Sequence, residues 1–134
     1  MKVNELKVTD LKVGDWVRVI SAEPNTYRRP FYQIITVEKM MMIRNRRMVV
    51  EPIPLTPEIL EKNFELLYRK KSIYIYSGIK GRFIIQNHYN VKGWDWSLDY
   101  DKQTGTASAF GRVNYIHELQ HCLRGNRIEK EIVV

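Results

Sequence analysis

The sequence predicts an α+β fold: a single small domain of antiparallel β-hairpins, with an SH3-like N-terminal part and two short helices. Two observations predict it. Apolar residues alternate with period two over several short stretches, and Gly, Pro and Asn turn signals separate those stretches. Two further stretches carry apolar residues at helical spacing between recognisable caps. At 134 residues the chain has the length of one domain and buries enough apolar surface to need neither a disulfide nor a metal to fold.

Residues 1–55 read as β-rich. Gly14-Asp15 is a turn signal, and Val17 and Val19 then alternate with charged or bulky neighbours as in a half-buried strand. Glu23-Pro24-Asn25 is loop chemistry. Phe31 to Met42 reads as one long strand and Met48 to Ile53 as another, with Ile43-Arg44-Asn45-Arg46-Arg47 between them as a basic hairpin tip. Three strands with tight turns are the pattern of an SH3-like barrel. Pro52 and Pro54 stop the last of these strands, and a helix is expected over residues 56–68. Thr56 is its N-cap, Pro57 suits its first position and Glu58 suits the positive end of its dipole. Its apolar stripe is Ile59, Leu60, Phe64 and Leu67.

Residues 72–110 read as two hairpins. SIYIYS and RFIIQN flank Gly78-Ile79-Lys80-Gly81, and WDWSLDY and TASAF flank a polar loop. A second helix is expected over residues 114–125, opened by Asn114 and closed by Gly125. At about 100° per residue, Tyr115, Ile116, Leu119, Cys122 and Leu123 share one arc, with His117, His121 and Arg124 opposite. Residues 127–134 read as a closing strand.

Composition excludes several classes. No apolar run approaches the ~20 residues of a membrane span, so no membrane partner is expected, and the N-terminus lacks the apolar core of a signal peptide. The one cysteine, Cys122, permits no intrachain disulfide and suits a reducing cytoplasm; on the apolar arc it reads as a buried, inert thiol. The net charge is +7. Between Glu65 and Asp95 no acidic residue occurs, while Arg69, Lys70, Lys71, Lys80, Arg82 and Lys92 supply six positive charges.

Two sets of residues carry candidate chemistry. His117-Glu118-Leu119-Gln120-His121 is an H-E-x-x-H string, in which two histidines one helical turn apart can hold zinc and the glutamate can act as general base. That reading lacks a third protein ligand, since His88 precedes the motif and only Glu129 and Glu131 follow it. Zinc is the only cofactor considered, and only under this alternative. The second set interleaves basic and aromatic residues: Arg44, Arg46, Arg47, Lys70, Lys71 and Arg82 suit phosphates, and Tyr74, Tyr76 or Trp94 suit stacking on a base. Gly78-Ile79-Lys80-Gly81 joins strand-like runs and is a turn. The Asp99–Gly105 stretch lacks the glycine and glutamate of a calcium loop.

Three stretches, LKVGDWV at 11–17, EPIPLTPEILEKN at 51–63 and YIHELQHCLRGNRIEKEI at 115–132, resemble a family of small uncharacterised proteins of Bacteroides-type bacteria and their phages and prophages. The resemblance implies a setting, a phage-type accessory protein in a bacterial cytoplasm, and assigns no catalytic residue. With the charge, it leads to the expectation of a non-catalytic protein that binds an anionic, phosphate-bearing ligand. One form is counter-defence by sequestering a nucleotide immune signal; the other is a nucleic-acid-binding module. The alternatives are an inhibitor of a host protein, homodimeric in one version, and a zinc hydrolase.

Overall fold

Two antiparallel sheets organise the chain, seen in a computed structural model that describes residues 5–68, 73–76, 82–87, 93–101 and 106–134. The fold is α+β, a single small domain whose residues group into two compact units. One holds Met1–Pro54, Tyr115–His121 and Val134, and the other holds Leu55–Asn114 and Cys122–Val133.

In the first unit, strands β1 (Trp16–Ala22), β2 (Asn25–Ile34) and β3 (Met48–Glu51) form a three-stranded sheet in the order β2-β1-β3. β1 is central, so Val17 and Val19 are fully buried, and β3 adds Met48 and Val50 to the same core. Leu6, Leu11, Ile35 and Ile43 complete that core. Arg18 and Glu51, cross-strand partners, form an ion pair.

The basic hairpin tip expected at residues 43–47 is a helix end instead. Helix α1 (Val37–Arg44) begins at Thr36, whose Oγ1 accepts from Lys39 N at 3.2 Å. The strand expected from Phe31 to Met42 therefore stops at Ile34. Past the C-cap Asn45, Arg46 N donates to Ile43 O (3.1 Å) and Arg47 N to Met42 O (2.7 Å). These two bonds close a Schellman turn, and they place Arg46 at the left-handed position, with φ 60°.

In the second unit, helix α2 (Pro57–Asn63) has the expected cap, Thr56 Oγ1 accepting from Ile59 N, and the expected proline. It ends at Asn63, not at residue 68. Phe64 turns to an extended conformation, and residues Glu65–Tyr68 are strand β4. β4 leads the five-stranded sheet β4-β5-β6-β7-β8, with β5 (Ile73–Tyr76), β6 (Arg82–Asn87), β7 (Trp94–Asp101) and β8 (Thr106–Val113). Both expected hairpins are present, β5 with β6 and β7 with β8. One face carries the core: Tyr74, Phe83, Ile85, Trp94 and Leu98 are buried, and Phe64 lies 6.1 Å from Phe83 between ring centres. Trp96 stacks on Phe83 and covers its cross-strand partner Gly111, where an added Cβ would sit 2.7 Å from the indole nitrogen.

The closing strand expected over 127–134 is not formed, and among the described residues no strand pairs with that segment. Their extended end is held by a side chain: Asn63 Nδ2 donates to Val133 O and Asn63 Oδ1 accepts from Val133 N, both at 2.7 Å. Helix α3 (Ile116–Gly125) also ends in a Schellman turn, with Arg127 N on Arg124 O and Ile128 N on Leu123 O.

Candidate functional site

The H-E-x-x-H string occupies the first turns of α3, and four of its neighbourhood's polar groups are committed to holding the fold. Glu118 stands at the third helical position and its Oε1 accepts from Tyr115 N at 3.1 Å, the reciprocal half of a capping box. Gln120 is buried; its Oε1 accepts from Trp16 N (2.8 Å) and its Nε2 donates to Gly14 O (3.0 Å). Gly14, at φ 96°, makes the turn that delivers Asp15. Asp15 is fully buried, its Oδ2 accepting from Lys12 N (2.8 Å) and meeting His121 Nε2 at 2.6 Å.

The histidine side of α3 is therefore not the solvent-facing side the helical arc implies. The Gly14-Asp15-Trp16 turn packs on it, leaving His117 6% exposed and the His121 side chain 27% exposed. Among the described residues, the buried His117 Nδ1 has no hydrogen-bond partner. Burial pulls its pKa below the ordinary 6.5, with His121 adding to the shift and Glu118, Asp15 and Asp10 opposing it. A cleft of about 480 Å³ opens here, lined by Thr9, Asp10, Lys12, Tyr115 and the motif's His117, Glu118 and His121.

The His121 nitrogen that faces a neighbour faces Asp15, Glu118 caps the helix, and among the described residues no three His, Cys, Asp or Glu side chains are grouped to hold a metal ion. Cys122 is half-buried, and burial pushes its thiol up to about 12, which removes thiolate chemistry at neutral pH.

The basic residues divide differently. Arg44, Arg46 and Arg47 are all exposed at the end of α1, and beside them runs a groove of about 810 Å³ with Lys7, Thr9, Arg44 and Arg46 on its walls. No family model, curated protein or solved structure matches this chain. Of the other residues chosen for phosphate contact, Arg82 is half-buried on β6 and Lys70 and Lys71 lie outside the described residues. The residues chosen for stacking are interior: Tyr74 and Trp94 are 2% and 6% exposed and lie 6.1 Å apart, and the half-buried Tyr76 packs edge-on against Phe64. They are packing residues of the sheet's core face. Phe110, which sequence patterning places merely at a strand end, is 83% exposed. No helix of the described residues is long and apolar enough to cross a membrane.

Proposed function

We propose that this chain is a non-catalytic accessory protein that binds a phosphate-bearing ligand through Arg44, Arg46 and Arg47. One observation carries the reading. Arg46 holds the left-handed position of a Schellman turn, where glycine is the unstrained choice and any other residue costs about 1 kcal/mol. The same left-handed arginine recurs at Arg127 (φ 58°), so what marks this turn is that the exposed Arg44 and Arg47 flank Arg46 beside a groove of about 810 Å³. Three planar, permanently charged forks within four residues match the oxygens of a di- or triphosphate or of successive backbone phosphates. The engagement of Asp15, Glu118, Gln120 and His121 in holding the turn and the helix supports a binding role over hydrolysis.

Under the resemblance to phage-type accessory proteins, the ligand is either a nucleotide signal of host immunity, sequestered by this protein, or nucleic acid. Titration with inorganic triphosphate, a dinucleotide and a single-stranded dodecanucleotide tests both forms. Arg46→Gly is expected to fold at least as stably as the parent and to lose binding of inorganic triphosphate, the probe that carries no base. Undiminished binding by that variant would overturn the assignment. Steep weakening with salt marks the polymer, since each phosphate contact releases counterions.

A protein partner is the second reading, favoured by Val37 and Met41, which stand 64% and 59% exposed one turn apart on α1. A change of Met41 to Asp that abolishes capture of a bacterial protein, with phosphate binding intact, is the result that would favour it.

A further inference from the structure

We infer that the second unit carries a separate cleft for a nucleobase, on the sheet face opposite its core. It lies across β6, β7 and β8, has a volume of about 540 Å³, and is walled by Phe110, Ser97, Gln86, Asp95 and Arg112, with Trp96 and Gly111 between them along the strands.

The strand register builds it. Gln86, Asp95 and Arg112 are successive cross-strand partners, so they form one polar row over three adjacent strands. Ile84, Ser97 and Phe110 are likewise successive partners and form the next row on the same face, two residues along each strand. Two residues of strand separate the rows by about 7 Å, enough for one planar ring to lie between the polar groups and the phenyl. The partner of Phe110 in its row is a serine, so one side of the ring is bordered by a small side chain. Phe110 is 83% exposed, the highest value among the exposed large apolar side chains of the described residues, although it sits within the strand.

The polar row offers what a base edge requires. Arg112 donates through Nε to Oδ1 of Asp95, its neighbour in the row, at 3.3 Å, and its side chain stays exposed. The exposed Gln86 supplies both an amide donor and a carbonyl acceptor. A saturated or purely apolar ring would use the phenyl and leave these donors and acceptors idle; a nucleobase uses both. The cleft's volume admits a single nucleotide. The assignment concerns the second unit and does not depend on the arginine turn of the first.

Binding of the four nucleoside 5′-monophosphates, with ribose 5-phosphate as the baseless control, tests it. At least one monophosphate is expected to bind saturably and ribose 5-phosphate not to compete. Phe110→Ala should weaken that binding roughly ten-fold or more, as loss of base–aromatic stacking does elsewhere, and Phe110→Tyr should retain it. The exposed position makes both variants harmless to folding. Equal competition by ribose 5-phosphate, or full binding by Phe110→Ala, would overturn the cleft. Binding that disappears in Arg46→Gly and persists in Phe110→Ala does the same while leaving the arginine reading standing. Binding of the dodecanucleotide alone rejects a mononucleotide site.

Discussion

Arg46 and Arg127 occupy the same position in two different helix ends, each left-handed (φ 60° and 58°) and each closing a Schellman turn after an asparagine. Replacing either with glycine removes the strain between Cβ and the backbone, and the added freedom of the unfolded chain offsets part of the gain. Each variant should gain about 0.5–1 kcal/mol, read as a higher midpoint in urea denaturation. The two should then part company: Arg127→Gly keeps phosphate binding and Arg46→Gly loses it. Equal retention would mean that Arg46 is as incidental to binding as Arg127. A second consequence concerns His117. Its folded-state pKa is lowered, so the native state resists a proton that the unfolded chain accepts near 6.5. The stability it contributes is therefore complete above pH 6.5 and is lost as the pH falls through the lower folded value. Thermal melts between pH 7.5 and 5 should show that decline, and His117→Gln should flatten it.

Single amide side chains do the joining between elements. Gln120 of α3 answers one donor and one acceptor of the Gly14–Trp16 turn, and Asn63 of α2 answers the donor and acceptor of Val133. Changing either amide to its acid keeps the shape and turns a donor into an acceptor that faces a carbonyl. Gln120→Glu and Asn63→Asp should each cost about 2–3 kcal/mol, measured by denaturation at neutral pH, because a buried carbonyl loses its partner and faces a charge. A loss below 1 kcal/mol would mean that the turn or the terminal segment is held by something else. These joints explain what was legible in the sequence. α2 was, since Thr56-Pro57 is a local signal. α1 was not: Met40 and Ile43 face the first unit's core while Val37 and Met41 face outward, so no period stands out and only Thr36 marks its start. The closing segment has Ile128 and Ile132 buried four residues apart, and its pairing with an asparagine 70 positions away has no periodicity. For the site, the H-E-x-x-H string was visible but its use was not, because Asp15, which holds His121, lies 106 residues upstream. Alternation on β5 and β7 showed that one set of residues is interior without showing that it contains Tyr74 and Trp94.

The charge of the whole molecule poses the remaining choice: a net +7 attracts any polyanion, so binding by itself does not locate a site. Two variants of equal charge separate field from site. Changing Arg44, Arg46 and Arg47 to glutamine removes three charges from the end of α1. Changing Arg28, Arg29 and Lys62 to glutamine removes three exposed charges from β2 and α2. If the field governs, both variants weaken binding of the single-stranded dodecanucleotide alike, since they share a net charge. If the α1 turn is the contact, only the first loses contacts. Its plot of log affinity against log salt should then flatten by about 2, three phosphates at roughly 0.7 each, while the second keeps the parental slope and shifts only slightly in affinity. The second arm decides the matter. A parallel flattening there reduces the arginine turn to one contributor among many and leaves the protein a diffuse polyanion binder, whereas an unchanged slope ties the charge surplus to four consecutive positions at the end of one helix.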